Sequence, residues 1–122
     1  MPTIMIVDDA KAIRRAATLF LAQQDVTVVE AVDGFEALGK IHQSPPDLLF
    51  LDVNMPRVDG YHLCLLLRSI PEFEDLPIIM LSGKDSPFDV AQGNRSGCTD
   101  YLTKPFLRET LLECVKKYLK NK

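Results

Sequence analysis

Five side chains stand out by where they fall in the chain. Ile4-Met5-Ile6-Val7 runs into Asp8-Asp9, Leu48-Leu49-Phe50-Leu51 into Asp52, Ile78-Ile79-Met80-Leu81 into Ser82, and Asp100-Tyr101-Leu102-Thr103 into Lys104-Pro105. Gathered on one rim, three carboxylates, a hydroxyl and an ammonium suit a divalent cation and a phosphoryl group. Mg²⁺ takes octahedral oxygen coordination, uses one or two carboxylates, keeps several waters and often shares a phosphate. Asp9 and Asp52 are the candidates for direct ligands, with Asp8 acting directly or through water. An Asp carboxylate can also be a nucleophile that forms an aspartyl phosphate. Protein groups then mostly position and neutralise, here Lys104 and Ser82 on the phosphoryl oxygens. Three carboxylates so close repel, so at least one is expected to have a raised pKa unless a cation relieves it.

The convergence depends on the elements that carry these residues. Continuous apolar runs bounded by turns read as strands buried on both faces of a parallel sheet. In such sheets the binding crevice lies at the carboxyl ends of the strands. Strands are expected near 3–7, 26–31, 47–51, 77–82 and 100–103, the second an edge. Helices alternate with them. Ile13, Ala16, Ala17, Phe20 and Leu21 form one apolar stripe. Phe35, Leu38 and Ile41 form a second, ended by Ser44-Pro45-Pro46 because proline cannot continue a helix. Further helices are expected near 60–69 and 88–96, with Gly97 a stop for the latter. The last carries Leu111, Cys114, Val115, Tyr118 and Leu119, with Lys116, Lys117, Lys120 and Lys122 suiting the negative end of its dipole. Alternating βα units predict an α/β fold: a flavodoxin-like five-stranded parallel sheet of order 2-1-3-4-5 with helices on both faces. That order sets the first strand beside the third, and Asp8-Asp9 beside Asp52.

The bulk properties narrow the classes. At 122 residues the chain reads as one domain, 1–122, able to fold without disulfide or metal. Net charge is −3 and basic residues are not clustered, which argues against nucleic acid. No apolar stretch approaches the roughly 20 residues of a membrane span. Cys64, Cys98 and Cys114 are odd in number and lack CxxC spacing, so free thiols in a reducing cytoplasm are expected.

Each residue also has a plainer reading. Asp8 or Asp52 alone could cap a helix. Asp33 and Asp59 precede glycines and read as turn residues. His42 and His62 lie on predicted helices without a spaced partner. Tyr101 is expected to be partly buried beside the site, with a core role and a switching role both open.

The motifs Ile6-Val7-Asp8-Asp9, Leu51-Asp52-Val53-Asn54-Met55-Pro56 with Asp59-Gly60, Leu81-Ser82 and Tyr101-Leu102-Thr103-Lys104-Pro105-Phe106 resemble the receiver domain of two-component response regulators, over about 3–120. The resemblance implies that Asp52 is the phosphoacceptor and that Asp8 and Asp9 build the acidic pocket. It further implies that the backbone carbonyl of Asn54 completes the Mg²⁺ shell, that Ser82 and Lys104 hold the phosphoryl group, and that Tyr101 is the switch aromatic. It implies a cis Lys104-Pro105 bond, which X–Pro bonds tolerate cheaply. Ala10 departs from a position where a polar residue is frequent, which weakens the first helix cap. Asn54 and Lys84 fall where family members tune phosphate lifetime. Ile13-Arg14-Arg15, Val32-Asp33-Gly34-Phe35-Glu36-Ala37-Leu38 and Met80-Leu81-Ser82-Gly83-Lys84-Asp85 further resemble stand-alone regulators of type IV pilus motility.

The expected function is therefore a switch without DNA-binding or enzymatic output domain. A sensor histidine kinase would phosphorylate it, and an effector protein would read the face formed by the fourth helix, fifth strand and fifth helix. A monomer is expected, with dimerisation on phosphorylation left open. The alternative is an aspartyl-phosphate phosphatase of haloacid dehalogenase type. Those resemble a strand ending Asp-x-Asp, whereas this one ends Asp52-Val53-Asn54. A flavin or nucleotide binder would need a glycine- or hydroxyl-rich phosphate loop after the first strand, and none is present. A receiver that signals without phosphate is disfavoured by the intact acidic set.

Overall fold

The computed structural model describes residues 1–84 and 86–119; Asp85, Lys120 and Lys122, named above, lie outside them. Strands and helices alternate as β1 (Thr3–Val7), α1 (Lys11–Leu21), β2 (Thr27–Ala31), α2 (Gly34–Gln43), β3 (Leu48–Asp52), α3 (Gly60–Arg68), β4 (Ile78–Ser82), α4 (Val90–Ser96), β5 (Asp100–Thr103) and α5 (Arg108–Leu119). The strands form one parallel sheet in the expected order, β2-β1-β3-β4-β5.

Side chains alternate across the sheet, so each apolar run feeds two cores. Met5, Val7, Leu49, Leu51, Ile78 and Met80 pack with Ala37 and Ile41 of α2 and with Leu63 and Leu67 of α3. Ile4, Ile6, Leu48, Phe50, Ile79 and Leu81 pack on the other face with Ala17, Leu21, Leu111 and Val115 of α1 and α5. Every residue of β3 and β4 is buried, including Asp52 and Ser82. The edge strands β2 and β5 are only partly covered. Burying one Leu or Phe completely stabilises by about 1.5–3 kcal/mol, so the central strands dominate the fold.

Helix ends follow local chemistry. Asp33 and Asp59, expected only as turn residues, are N-caps: their Oδ1 atoms accept from the Glu36 and His62 backbone N–H groups. A short side chain before glycine serves a turn and a cap alike, and the apolar stripe that follows decides for the cap. Asp89 caps α4 in the same way, so that helix starts at Val90 and not at 88. Ala10 leaves α1 without a side-chain cap, as expected from its type. Gly97 ends α4 at φ 83°, a left-handed conformation that glycine adopts without steric cost. A 3₁₀ turn at Pro71–Phe73, not anticipated, drops Phe73 into the core between α3 and β4.

Candidate functional site

Parallel register does the positioning. Val7 pairs with Leu51, so the next residues, Asp8 and Asp52, leave adjacent strands side by side. Ser82 pairs with Thr103, which delivers Lys104 to the same rim. Carboxylate oxygens of Asp8, Asp9 and Asp52 lie within 4.8 Å of one another. Lys104 Nζ donates to Asp8 Oδ2 and Asp52 Oδ1, each at 3.0 Å. Asp8 and Asp52 are buried, and Asp9 is exposed at the mouth.

Backbone donors and neighbours fix these groups. Asp8 Oδ1 accepts from the Ala10 N–H at 2.9 Å, and Asp52 Oδ1 from the Asn54 N–H at 3.1 Å. Arg14 of α1 donates through Nη1 to the Asp8 carbonyl oxygen at 2.8 Å, and through Nε to Glu30 of β2 at 3.2 Å. It thereby ties the end of β1 to its edge neighbour. At the other side, α3 starts hard against β3. A β-carbon on Gly60 would stand 2.3 Å from the Asp52 carbonyl oxygen, and the Gly60 N–H donates to the Val53 carbonyl.

The electrostatics follow from burial. The Asp52 carboxyl is pushed up to about 6, first by burial and then by the Asp8 charge; the Asn54 N–H and Lys104 oppose the rise. For Lys104, burial lowers the ammonium's pKa, but hydrogen bonds and charges from Asp8 and Asp52 outweigh it and the net direction is up. One ammonium thus leaves three acids under-compensated. Oxygen-only donors on a half-open rim fit a small hard divalent cation, which would complete the neutralisation. The adjoining cavity, of ≈ 270 Å³, is lined by Asp9, Asp52, Asn54, Gly83, Lys84, Ser86 and Lys104. At about 30 Å³ per water, that has room for a hydrated ion and a phosphoryl group.

The predicted residues Asp8, Asp9, Asp52, Ser82 and Lys104 thus converge. Asn54 lies on the cavity wall. Ser82 is buried at the end of β4, and its hydroxyl donates toward β5, to the Leu102 carbonyl at 3.5 Å. Tyr101 is further out on β5 and 46% exposed, with its ring stacked on Phe88. Lys104-Pro105 is cis. His42 and His62 are exposed and outside the site; His62 does have a partner, Asp59, at 2.9 Å, one helical turn back. Arg14 as a buttress and Phe88 as a ring partner are not among the expected site residues. Phe88 falls just before α4, not within it, because Asp89 caps that helix. The cysteines are free, with Cys64 and Cys114 buried and Cys98 half-buried.

A parallel sheet of order β2-β1-β3-β4-β5 with helices on both faces, and an acidic, lysine-bridged pocket at its carboxyl edge, defines a flavodoxin-like fold. The chain belongs to the response regulator receiver domain family, which it matches over residues 4–116. It is 45% identical to Protein PilG of Pseudomonas aeruginosa over 116 residues, covering 95% of this chain and 86% of that one. It is 43% identical to Response regulator MprA of Mycobacterium ulcerans, covering 97% of this chain but only 50% of that protein. Among solved structures it is similar to the chemotaxis protein CheY4 of Vibrio cholerae, at TM-score 0.89 and 34% identity, covering 97% and 98% of the two chains. A putative response regulator from Chloroflexus aurantiacus superposes at TM-score 0.88 with 37% identity, covering 98% of each. Among the described residues, no helix is long and apolar enough to cross a membrane.

Proposed function

We propose that this chain is a phosphorylation switch whose phosphoacceptor is Asp52. The observation that carries the reading is Lys104 Nζ seated at 3.0 Å from both Asp8 and Asp52 inside a three-carboxylate cluster. Asp8, Asp9, Asp52 and the backbone carbonyl of Asn54 would hold Mg²⁺. When bound, that ion supplies charge neutralisation and a fixed place for a phosphoryl oxygen. Asp52 attacks the phosphorus of a phosphohistidine on a sensor kinase. The N–P bond breaks, an O–P bond to the carboxylate forms, and the imidazole keeps the electron pair. Lys104 takes one phosphoryl oxygen and the Ser82 hydroxyl another, turning inward from the Leu102 carbonyl. Tyr101 follows into the space Ser82 vacates, and the face made by α4, β5 and α5 changes shape. That is a shift between two populated states, biased by one new charge and its contacts.

The output in this reading is contact with an effector protein in the cytoplasm, by a single receiver unit spanning 1–122. The likeness to PilG and the motif resemblance to pilus-motility regulators support a role in type IV pilus motility or taxis. Acetyl phosphate with Mg²⁺ should give one phosphoryl adduct by intact mass, followed by slow self-dephosphorylation. Asp52→Asn should abolish the adduct. Persistence of the adduct in that variant would remove Asp52 from its role, and rapid turnover of phosphate esters would favour the phosphatase alternative.

A further inference from the structure

Phe88 lies in the connection between β4 and α4, the segment that begins immediately after Ser82. Its ring is laid flat on Tyr101, with centroids 4.2 Å apart and planes 4° from parallel. α4 makes room for it with a glycine: a β-carbon at Gly93 would stand 2.3 Å from Phe88 Cζ. α3 closes the remaining side. The Tyr61 ring lies 6.1 Å away, and its hydroxyl accepts from the Asp89 N–H at 2.7 Å, which pins the residue after Phe88. α3 and α4 therefore hold one aromatic against Tyr101, and Tyr101 stays 46% exposed.

We propose that Phe88 is a brake on the switch, a ring seated in the Gly93 notch that retains Tyr101 in its outward position. This inference rests on the phosphorylation reading and adds to it a component that sets the resting equilibrium. Tyr101 cannot move inward while keeping its face on a ring that Gly93 and Asp89 hold in place. The stack must break, or Phe88 must leave the Gly93 notch and travel with it. Either way the outward state holds a contact that the inward state forfeits. A stacked aromatic pair contributes enough to bias a two-state equilibrium by roughly two- to tenfold. A ligand selecting the inward state is weakened by the same factor.

The test uses beryllofluoride with Mg²⁺ as the phosphoryl mimic and measures its apparent affinity in the full chain. Phe88→Leu, which keeps an apolar side chain but removes the stack, should bind roughly two- to tenfold more tightly than the wild type. Gly93→Ala should act in the same direction by filling the notch. In a Tyr101→Ala background, Phe88→Leu should have no further effect, because the partner ring is already gone. Cooperative urea unfolding of each variant checks that the fold is kept. Unchanged or weaker binding by a folded Phe88→Leu variant, or an equal gain in the Tyr101→Ala background, overturns the brake alone. Failure of the wild type to bind beryllofluoride at all overturns the phosphorylation reading, and the brake with it.

Discussion

Gly60 and Asp52 touch through backbone: a β-carbon at residue 60 would lie 2.3 Å from the Asp52 carbonyl oxygen. The start of α3 is thereby set against the end of the strand that carries the central carboxylate. Gly60→Ala must lift the helix or bend the strand. Overpacking of this kind typically costs about 1–3 kcal/mol. The expected result is that loss in urea unfolding, with a reduced rate of phosphorylation by acetyl phosphate. Unchanged stability and rate would show that the contact relaxes freely.

Lys104→Met should destabilise the metal-free protein at neutral pH. It keeps the aliphatic stem but leaves Asp8 and Asp52 buried without their counter-charge. Breaking a buried pair costs roughly 3–5 kcal/mol, and about half that is expected here because the Lys104 side chain keeps 17% of its surface exposed. Excess Mg²⁺ should recover part of the loss. A variant as stable as the parent in EDTA would mean that the carboxylates compensate by other means.

Asp52 predicts a specific pH dependence. Its folded-state pKa lies above the usual 3.8, at about 6, so the folded protein holds that proton more firmly than the unfolded chain. Stability from this group is fully present below 3.8 and is lost as pH rises to about 6. Lys104, whose pKa is raised above 10.5, stays charged throughout that window. Asp52→Asn removes the ionisation, so in EDTA it should be more stable than wild type at pH 7, by up to about 3 kcal/mol. The advantage should fade toward pH 4. A difference that stays flat across this range would mean that burial does not strain the carboxylate.

Thiol chemistry should be slow. Burial pushes Cys64 up to about 11 and Cys114 up to about 12, and raises Cys98 as well. The thiolate is the reactive form. At pH 8 the native protein should therefore react with an aromatic disulfide reagent far more slowly than the urea-unfolded chain. Rapid native labelling of all three would contradict the packing around α3 and α5.

Much of this arrangement is legible in the sequence, for a physical reason. Strands covered on both faces cannot alternate polar and apolar residues, so Leu48–Leu51 and Ile78–Leu81 announce themselves, and the first polar residue after each marks the rim. Lys104 was legible through its place after a short strand and before a proline. Other features depend on what the chain meets in three dimensions. Whether Asp33 and Asp59 turn the chain or cap a helix is decided by the helix that follows. That Gly60 meets a carbonyl, and that Gly93 meets a ring, requires knowing which elements are neighbours. Phe88 carried no periodicity to place it, and Arg14 lay within a helix whose polar face has no fixed meaning until β2 is docked beside it.

The lysine bridge to Asp8 spans 96 positions of sequence. During synthesis the acids at 8, 9 and 52 are therefore made long before the base that balances them. Ribosome-stalled chains that have not yet exposed residue 104 should accordingly stay open to protease, and closing of the rim should coincide with release of the last strand. The contact that balances the acids would thus also mark assembly of the five-stranded sheet.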